Sequence, residues 1–124
     1  MENPPIKSFK DLKTWQEAHA LVIEVYRVTK SFPKDELFGL TNQIRRAAVS
    51  ITSNISEGFN RSSQKEKIQF YFISLGSLAE LQNQMLIARD VGYLTPEAFA
   101  KMEMQIVVVQ RLLNALITKT KSLV

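Results

Sequence analysis

The sequence predicts an all-α protein, four long helices packed as an antiparallel up-and-down bundle. Three observations lead there. Apolar residues recur at steps of three and four along most of the chain, the period that gathers them on one face of a helix. Strand-like alternation of useful length is missing, as are internal repeats and low-complexity tails. Proline and glycine punctuation at Pro33, Gly58, Gly92 and Pro96 divides the chain into four segments with short connections, which is what such a bundle needs. At 124 residues the chain reads as a single domain, 1–124, long enough for one real core.

The first helix is expected over about 11–31, after an extended lead through Pro4 and Pro5. Ser8, with Asp11 three residues on, has the spacing to cap an earlier turn. Leu12, Trp15, Ala18 or His19, Val22, Val25 or Tyr26, and Thr29 mark one face, and Leu21, Ile23 and Val28 widen it. A helix apolar on more than one side buries more than one side, so this width suggests a subunit contact. Pro33 then ends the segment, and KDELFG over 34–39 reads as a turn.

The second helix, 40–59, carries a stripe of Ile44, Ala47, Ala48, Ile51 and Ile55 flanked by Ser50, Ser53, Asn54, Ser56 and Glu57. Small hydroxyl and amide side chains compete for the backbone's hydrogen bonds and make mediocre helix formers. So many of them imply close packing against a neighbour. Gly58 is expected to take the left-handed conformation that stops a helix. Ser63 and Glu66 have the capping-box spacing, which starts the third helix at Gln64 and carries it over 64–91 to Gly92, another left-handed stop. Gly76 falls in mid-helix, where glycine costs roughly 1 kcal/mol against alanine. Its expected use is to admit a neighbouring backbone, that of the helix holding Ala47 and Ala48. Thr95, Pro96 and Glu97 supply a hydroxyl cap, a first-position proline and an acid in the first turn of the fourth helix, 96–121. That helix has Phe99, Met102, Ile106, Val109 and Leu113 on one face, with Val107 and Val108 as extra apolar width.

Composition narrows the function. Apolar residues make up 45% and charged residues 23%, the balance of an ordinary globular protein. A net charge of +4 and a pI near 9.5 lean towards a polyanionic partner, though 16 basic residues face 12 acidic ones without a block of either sign. The chain has no cysteine, hence no thiolate nucleophile and no cysteine metal site. No leader is read at Met1–Glu2, and no run reaches the ~20 apolar residues that cross a bilayer. A cytoplasmic protein without membrane contact is the expectation. His19 is the one histidine, and it is read as a core or interface residue of the first helix. Glu17 lies two residues from it, not at the Glu-x-x-His spacing of bundle metal sites. No arginine precedes it, as one does in some all-helical ribonucleases. Phosphate-loop and nucleophile-elbow motifs are absent. No enzymatic activity, catalytic residue, metal or cofactor is therefore predicted.

The stretch QIRRAAVSITSNISEGFNRSS, with SFKDLKTWQEAHAL and FPKDELFGL before it and FISLGSLAEL and VGYL after it, resembles the small bacterial four-helix proteins encoded in 23S ribosomal RNA intervening sequences. That group is in turn similar to the accessory protein of diversity-generating retroelements. The resemblance covers about 8–94, and the last helix matches only in character. Ser56 stands where the family more often has alanine. The resemblance implies a ring-like homo-oligomer, a homopentamer, and through the retroelement relatives it implies contact with nucleic acid.

Two readings follow. In the first, Arg45, Arg46, Arg61, Lys65 and Lys67 grip phosphate oxygens of structured RNA or of DNA, arginine doing so with paired hydrogen bonds. A ring of subunits then multiplies a modest patch. In the second, the protein is a structural adaptor for a protein partner, and the signature encodes assembly. Trp15, Asn54, Glu57, Gly58, Gly76 and Glu80 are the structural candidates: Trp15 in the core with Tyr26, Asn54 on a carbonyl at a helix crossing, Glu57 paired with Arg61 or Arg46, and Glu80 a further partner for Arg46. Trp15, Tyr26 and Phe59 could each stack on a base; helical spacing favours core packing for Trp15 and Tyr26, and Phe59, beside a glycine, is left open between the two.

Overall fold

The computed structural model describes residues 5–124; Pro4, in the expected lead, lies outside them. Within these residues the chain forms four α-helices and no strand: α1 (Lys13–Thr29), α2 (Leu40–Phe59), α3 (Gln64–Asp90) and α4 (Pro96–Lys121). Helix α1 packs on α2 and α4, and α3 packs on the same two, so each helix has two neighbours. No helix among the described residues is long and apolar enough to cross a membrane. The core is a continuous cluster in which Leu21, Val25, Ile44, Ile51, Ile55, Leu81, Met85, Met102, Ile106 and Leu113 are almost wholly inaccessible.

Local chemistry explains the boundaries. Ser8 and Asp11 form a full capping box around the 3-10 turn Phe9–Asp11. The chain is then extended at Leu12, whose side chain enters the core, so α1 starts later than 11. Its end at Thr29 rather than 31 reflects Pro33, which disfavours helical geometry in the residue before it. Lys34–Glu36 makes one 3-10 turn. The Ser63 and Thr95 side chains accept from the Glu66 and Ala98 backbone N–H groups and cap α3 and α4. At the end of α3, Gly92 has φ +84°. Gly92 N–H donates to Arg89 O at 3.0 Å and Tyr93 N–H to Ala88 O at 2.8 Å, the paired bonds of a Schellman motif.

Two glycines carry other roles than expected. Gly58 lies inside α2 and is buried, and Gly92 is the only glycine with positive φ among the described residues. A Cβ at Gly58 would sit 2.8 Å from Tyr71 Cε1 and 3.0 Å from Phe70 Cβ. Gly58 is therefore the glycine that lets α2 and α3 approach. Gly76, expected in that role, is exposed, with nothing within 4 Å of its Cβ position. Polar side chains stitch the same helix pair. Ser74 Oγ donates to Ile51 O at 2.8 Å, and Ser50 and Ser77 share a hydrogen bond of 2.7 Å.

The extra apolar width of α1 turns mostly inward, since Leu21 and Val28 are buried within the same chain and only Ile23 faces out. Outward apolar residues lie instead on α3, at Phe72, Ile73 and Ile87, and on α4, at Met104 and Val108. His19 is exposed rather than in the core, its ring stacked on Trp15 with centroids 4.7 Å apart. Trp15 packs against the core and meets Phe9 edge-on.

Candidate nucleic-acid interface

Helix α2 places the five candidate cations in two separate groups. From Arg45 to Phe59 the helix rises roughly 21 Å at about 1.5 Å per residue, so Arg45 and Arg46 stand near one end and Arg61, Lys65 and Lys67 beyond the other. The sequence suggested one patch; the fold makes two.

The second group is largely committed to the structure. Arg61 pairs with Glu57 at 3.1 Å, as one of the two sequence readings had it, and its guanidinium covers the Phe70 ring at 4.6 Å. Lys67 Nζ donates to Phe59 O and sits 5.3 Å from the centre of the Phe59 ring. It thus satisfies a carbonyl that the end of α2 leaves without a partner. Phe59, half-buried, packs on the core. Lys65 is exposed.

The first group is different. Arg45 Nε donates to Thr29 Oγ1 at 3.0 Å, while the Thr29 hydroxyl donates to Val25 O at 2.7 Å. The Arg45 guanidinium lies 4.9 Å from the centre of the Tyr26 ring, within the range of a cation–π contact. Tyr26 is 40% exposed, not a core residue as its helical spacing suggested. Arg46 is exposed and pairs with neither Glu57 nor Glu80. Glu80 instead accepts from Gln84 Nε2 at 3.3 Å. Tyr26, Asn42, Arg45, Arg46, Val49, Ser50 and Ser53 together line an open cleft of about 540 Å³ between α1 and α2. No carboxylate lines it. Two arginines without acidic partners among the described residues, one aromatic ring and several small polar groups make a recess suited to an anion with a flat apolar part.

Behind the cleft, Asn54 Nδ2 donates to Ser50 O at 2.8 Å and to Ser50 Oγ at 3.1 Å, and Ser50 in turn meets Ser77. Asn54 therefore serves its own helix rather than a crossing partner, and fixes the wall that Ser50 presents. One acid elsewhere is shared by two cations. Glu24, almost fully buried, accepts from Arg27 Nε at 2.9 Å and lies 3.5 Å from Lys101 Nζ. The Arg27 hydrogen bond, then the charges of Arg27 and Lys101, hold the Glu24 carboxyl below its ordinary value against the effect of burial. Among the described residues, no three His, Asp or Glu side chains gather as a metal site.

Comparison with known proteins is decisive for the family. The profile of the 23S rRNA-intervening sequence proteins matches residues 10–115. The chain belongs to the 23S rRNA-intervening sequence protein family. The match runs into α4, beyond the segment whose motifs are legible by eye. A similar solved structure is a protein of unknown function from the S23 ribosomal protein family of Bacteroides thetaiotaomicron VPI-5482. It has a TM-score of 0.78 and 20% identity over 84% of this chain and 97% of that one. At that identity the likeness speaks for the fold. No curated protein matches the chain. For this member of the 23S rRNA-intervening sequence family, Tyr26, Asn42 and Ser53 join Arg45 and Arg46 at the cleft. Asn42 and Ser53 are not legible as site residues because nothing local distinguishes them from surface residues of an ordinary helix, and helical spacing favours core packing over base stacking for Tyr26.

Proposed function

We propose that this protein is a non-enzymatic, cytoplasmic nucleic-acid-binding protein that contacts structured RNA through the cleft between α1 and α2. The observation that carries this reading is the pair Arg45 and Arg46, free of carboxylates and lining one concave surface with an aromatic ring. Phosphate contacts dominate affinity for nucleic acid and need cations that are not already neutralised. The family's name refers to 23S ribosomal RNA as the place where its members are encoded, so the RNA reading rests on the cleft. The four helices form an antiparallel up-and-down bundle, and subunits assemble as a ring-like homopentamer akin to the accessory protein of diversity-generating retroelements. Outward apolar residues on α3 and α4, with Met104 72% exposed, support an assembly. A ring would present several copies of the cleft and raise weak contacts to useful affinity.

The test is binding to a structured RNA and a matched DNA duplex across a salt series, with light scattering to confirm that each variant keeps the wild-type mass. Arg45→Ala/Arg46→Ala is expected to lower affinity and to reduce the salt slope by about 1 for each phosphate no longer gripped. Lys65→Ala is expected to have the smaller effect. Absence of binding at low salt by an intact assembly overturns this function. It would favour a structural adaptor for a protein partner, a reading that draws on Phe38, 91% exposed beside α2.

A further inference from the structure

A second cavity, of about 240 Å³, adjoins the first across Arg45, which lines both. Lys30 and Lys34 stand on its walls with Thr41. Neither lysine is in an ion pair among the described residues, and neither is Arg45. Thr41 is buried, and its hydroxyl has no hydrogen-bond partner. Of the two acids in the turn before α2, Asp35 lines neither cavity and Glu36 is committed elsewhere. Glu36 accepts from Leu40 N–H at 3.3 Å and from Tyr93 Oη at 2.9 Å, so it already fills the positive end of α2 and lines neither cavity. Side chains, not the helix terminus, must therefore hold any anion here.

We propose that the two cavities together seat one unpaired nucleotide of a single-stranded nucleic-acid segment. Its phosphate lies in the pocket of Lys30, Lys34 and Arg45, and its base lies in the cleft beside Tyr26 and Arg46. This deepens the nucleic-acid reading and rests on it. Arg45 joins the two halves of the seat. Its Nε is fixed by Thr29, which leaves the terminal nitrogens of the guanidinium for a phosphate, while its plane and the Tyr26 ring give a stacking surface on the other side. Neither cavity is lined by a carboxylate, so both favour an anionic ligand over a cation. Polar groups at Asn42, Ser53 and Arg46 face the same cleft and match the mixed donors and acceptors of a base edge. In a duplex those edges are paired and the ring faces stacked; a recess with an aromatic wall is of use only to a base that is neither. Lys30 and Lys34, neither of them a phosphate candidate in the sequence, become phosphate ligands only because the turn before α2 brings them to Arg45.

The experiment compares three labelled probes of equal phosphate number: a short single-stranded RNA, the same strand in a perfect duplex, and an inorganic polyphosphate. The wild type is expected to bind the single strand at least tenfold more tightly than either other probe. Lys30→Ala/Lys34→Ala, at two exposed positions, is expected to lower the salt slope by about 1 to 2 for the single strand. Tyr26→Leu is expected to weaken the single strand roughly fivefold or more at an unchanged slope, and to leave polyphosphate binding alone. Equal affinity for all three probes, with Arg45→Ala/Arg46→Ala still impairing each, overturns the nucleotide seat and leaves the general nucleic-acid reading standing. A slope unmoved by Lys30→Ala/Lys34→Ala also overturns it. Binding of no probe at low salt overturns both.

Discussion

Replacing Gly58 and Gly76 separately by alanine should change stability in opposite directions. Both lie inside helices, where alanine is intrinsically favoured over glycine by about 1 kcal/mol. At Gly76 nothing lies within 4 Å of the added methyl, so that gain appears whole and Gly76→Ala stabilises by about 1 kcal/mol. At Gly58 the methyl would lie 2.8 Å from Tyr71 Cε1 and 3.0 Å from Phe70 Cβ. The Tyr71 ring is held at 2% exposure in the core, and a Cβ moves only with its backbone. Overpacking of this kind costs about 1–3 kcal/mol. Because neither neighbour can yield, the upper half of that range applies, and the net loss is about 1–2 kcal/mol after the helix gain is subtracted. For a domain of this size each kcal/mol shifts Tm by roughly 3–5 °C. Denaturant titration followed by circular dichroism, at one fixed protein concentration, separates the two variants. Wild-type stability in Gly58→Ala would refute the close approach of α2 and α3 at that residue. A loss of stability in Gly76→Ala would refute its open surroundings and point to a neighbouring subunit against α3 there.

Other consequences can be checked on the same material. Glu24 has a folded pKa below its ordinary 4.5, so its contribution is present above that value and is lost as pH falls through the depressed one; Glu24→Gln should flatten the acid side of the stability profile. Ser74→Ala removes the bond to Ile51 O and should cost about 1 kcal/mol by denaturant titration. Thr95→Ala removes the α4 cap and should cost about 1 kcal/mol in the same assay. Met104→Glu, at an exposed site, should reduce the particle mass in light scattering while leaving far-ultraviolet circular dichroism unchanged.

What the sequence made legible was chemistry confined to a few neighbouring residues. The cap at Ser8 with Asp11, the caps at Ser63 and Thr95 and the Gly92 stop are complete within one turn of chain, so their spacing alone carries them. Roles that depend on a residue from another helix were not legible. Nothing local separates Gly58, pressed on Tyr71, from Gly76, open to solvent; the sequence assigned the close approach to the wrong one. Tyr26 has the spacing of a core residue, yet Arg45, anchored to Thr29 across 16 positions, draws it into the cleft wall. The five candidate cations fall within 45–67 of the sequence, but a helix as stiff as α2 holds its ends apart.

That separation gives the surface its logic. Arg61 and Lys67 close the end of α2, through Glu57 and the Phe59 carbonyl, and so are committed to folding. Among the described residues Arg45 and Arg46 meet no acid, and the cost of leaving two like charges adjacent is tolerable only on a solvated face or against an anion. Outward apolar residues lie on α3 and α4, the two helices that do not supply the walls of the cleft, as well as at Ile23 on α1 and at Val49 on α2, which lines it. Self-association through α3 and α4 can then proceed without covering Arg45 and Arg46. Assembly and nucleic-acid binding should therefore be separable: a change at Met104 should lower affinity for a long RNA by reducing multivalency, yet leave a short single strand bound as before.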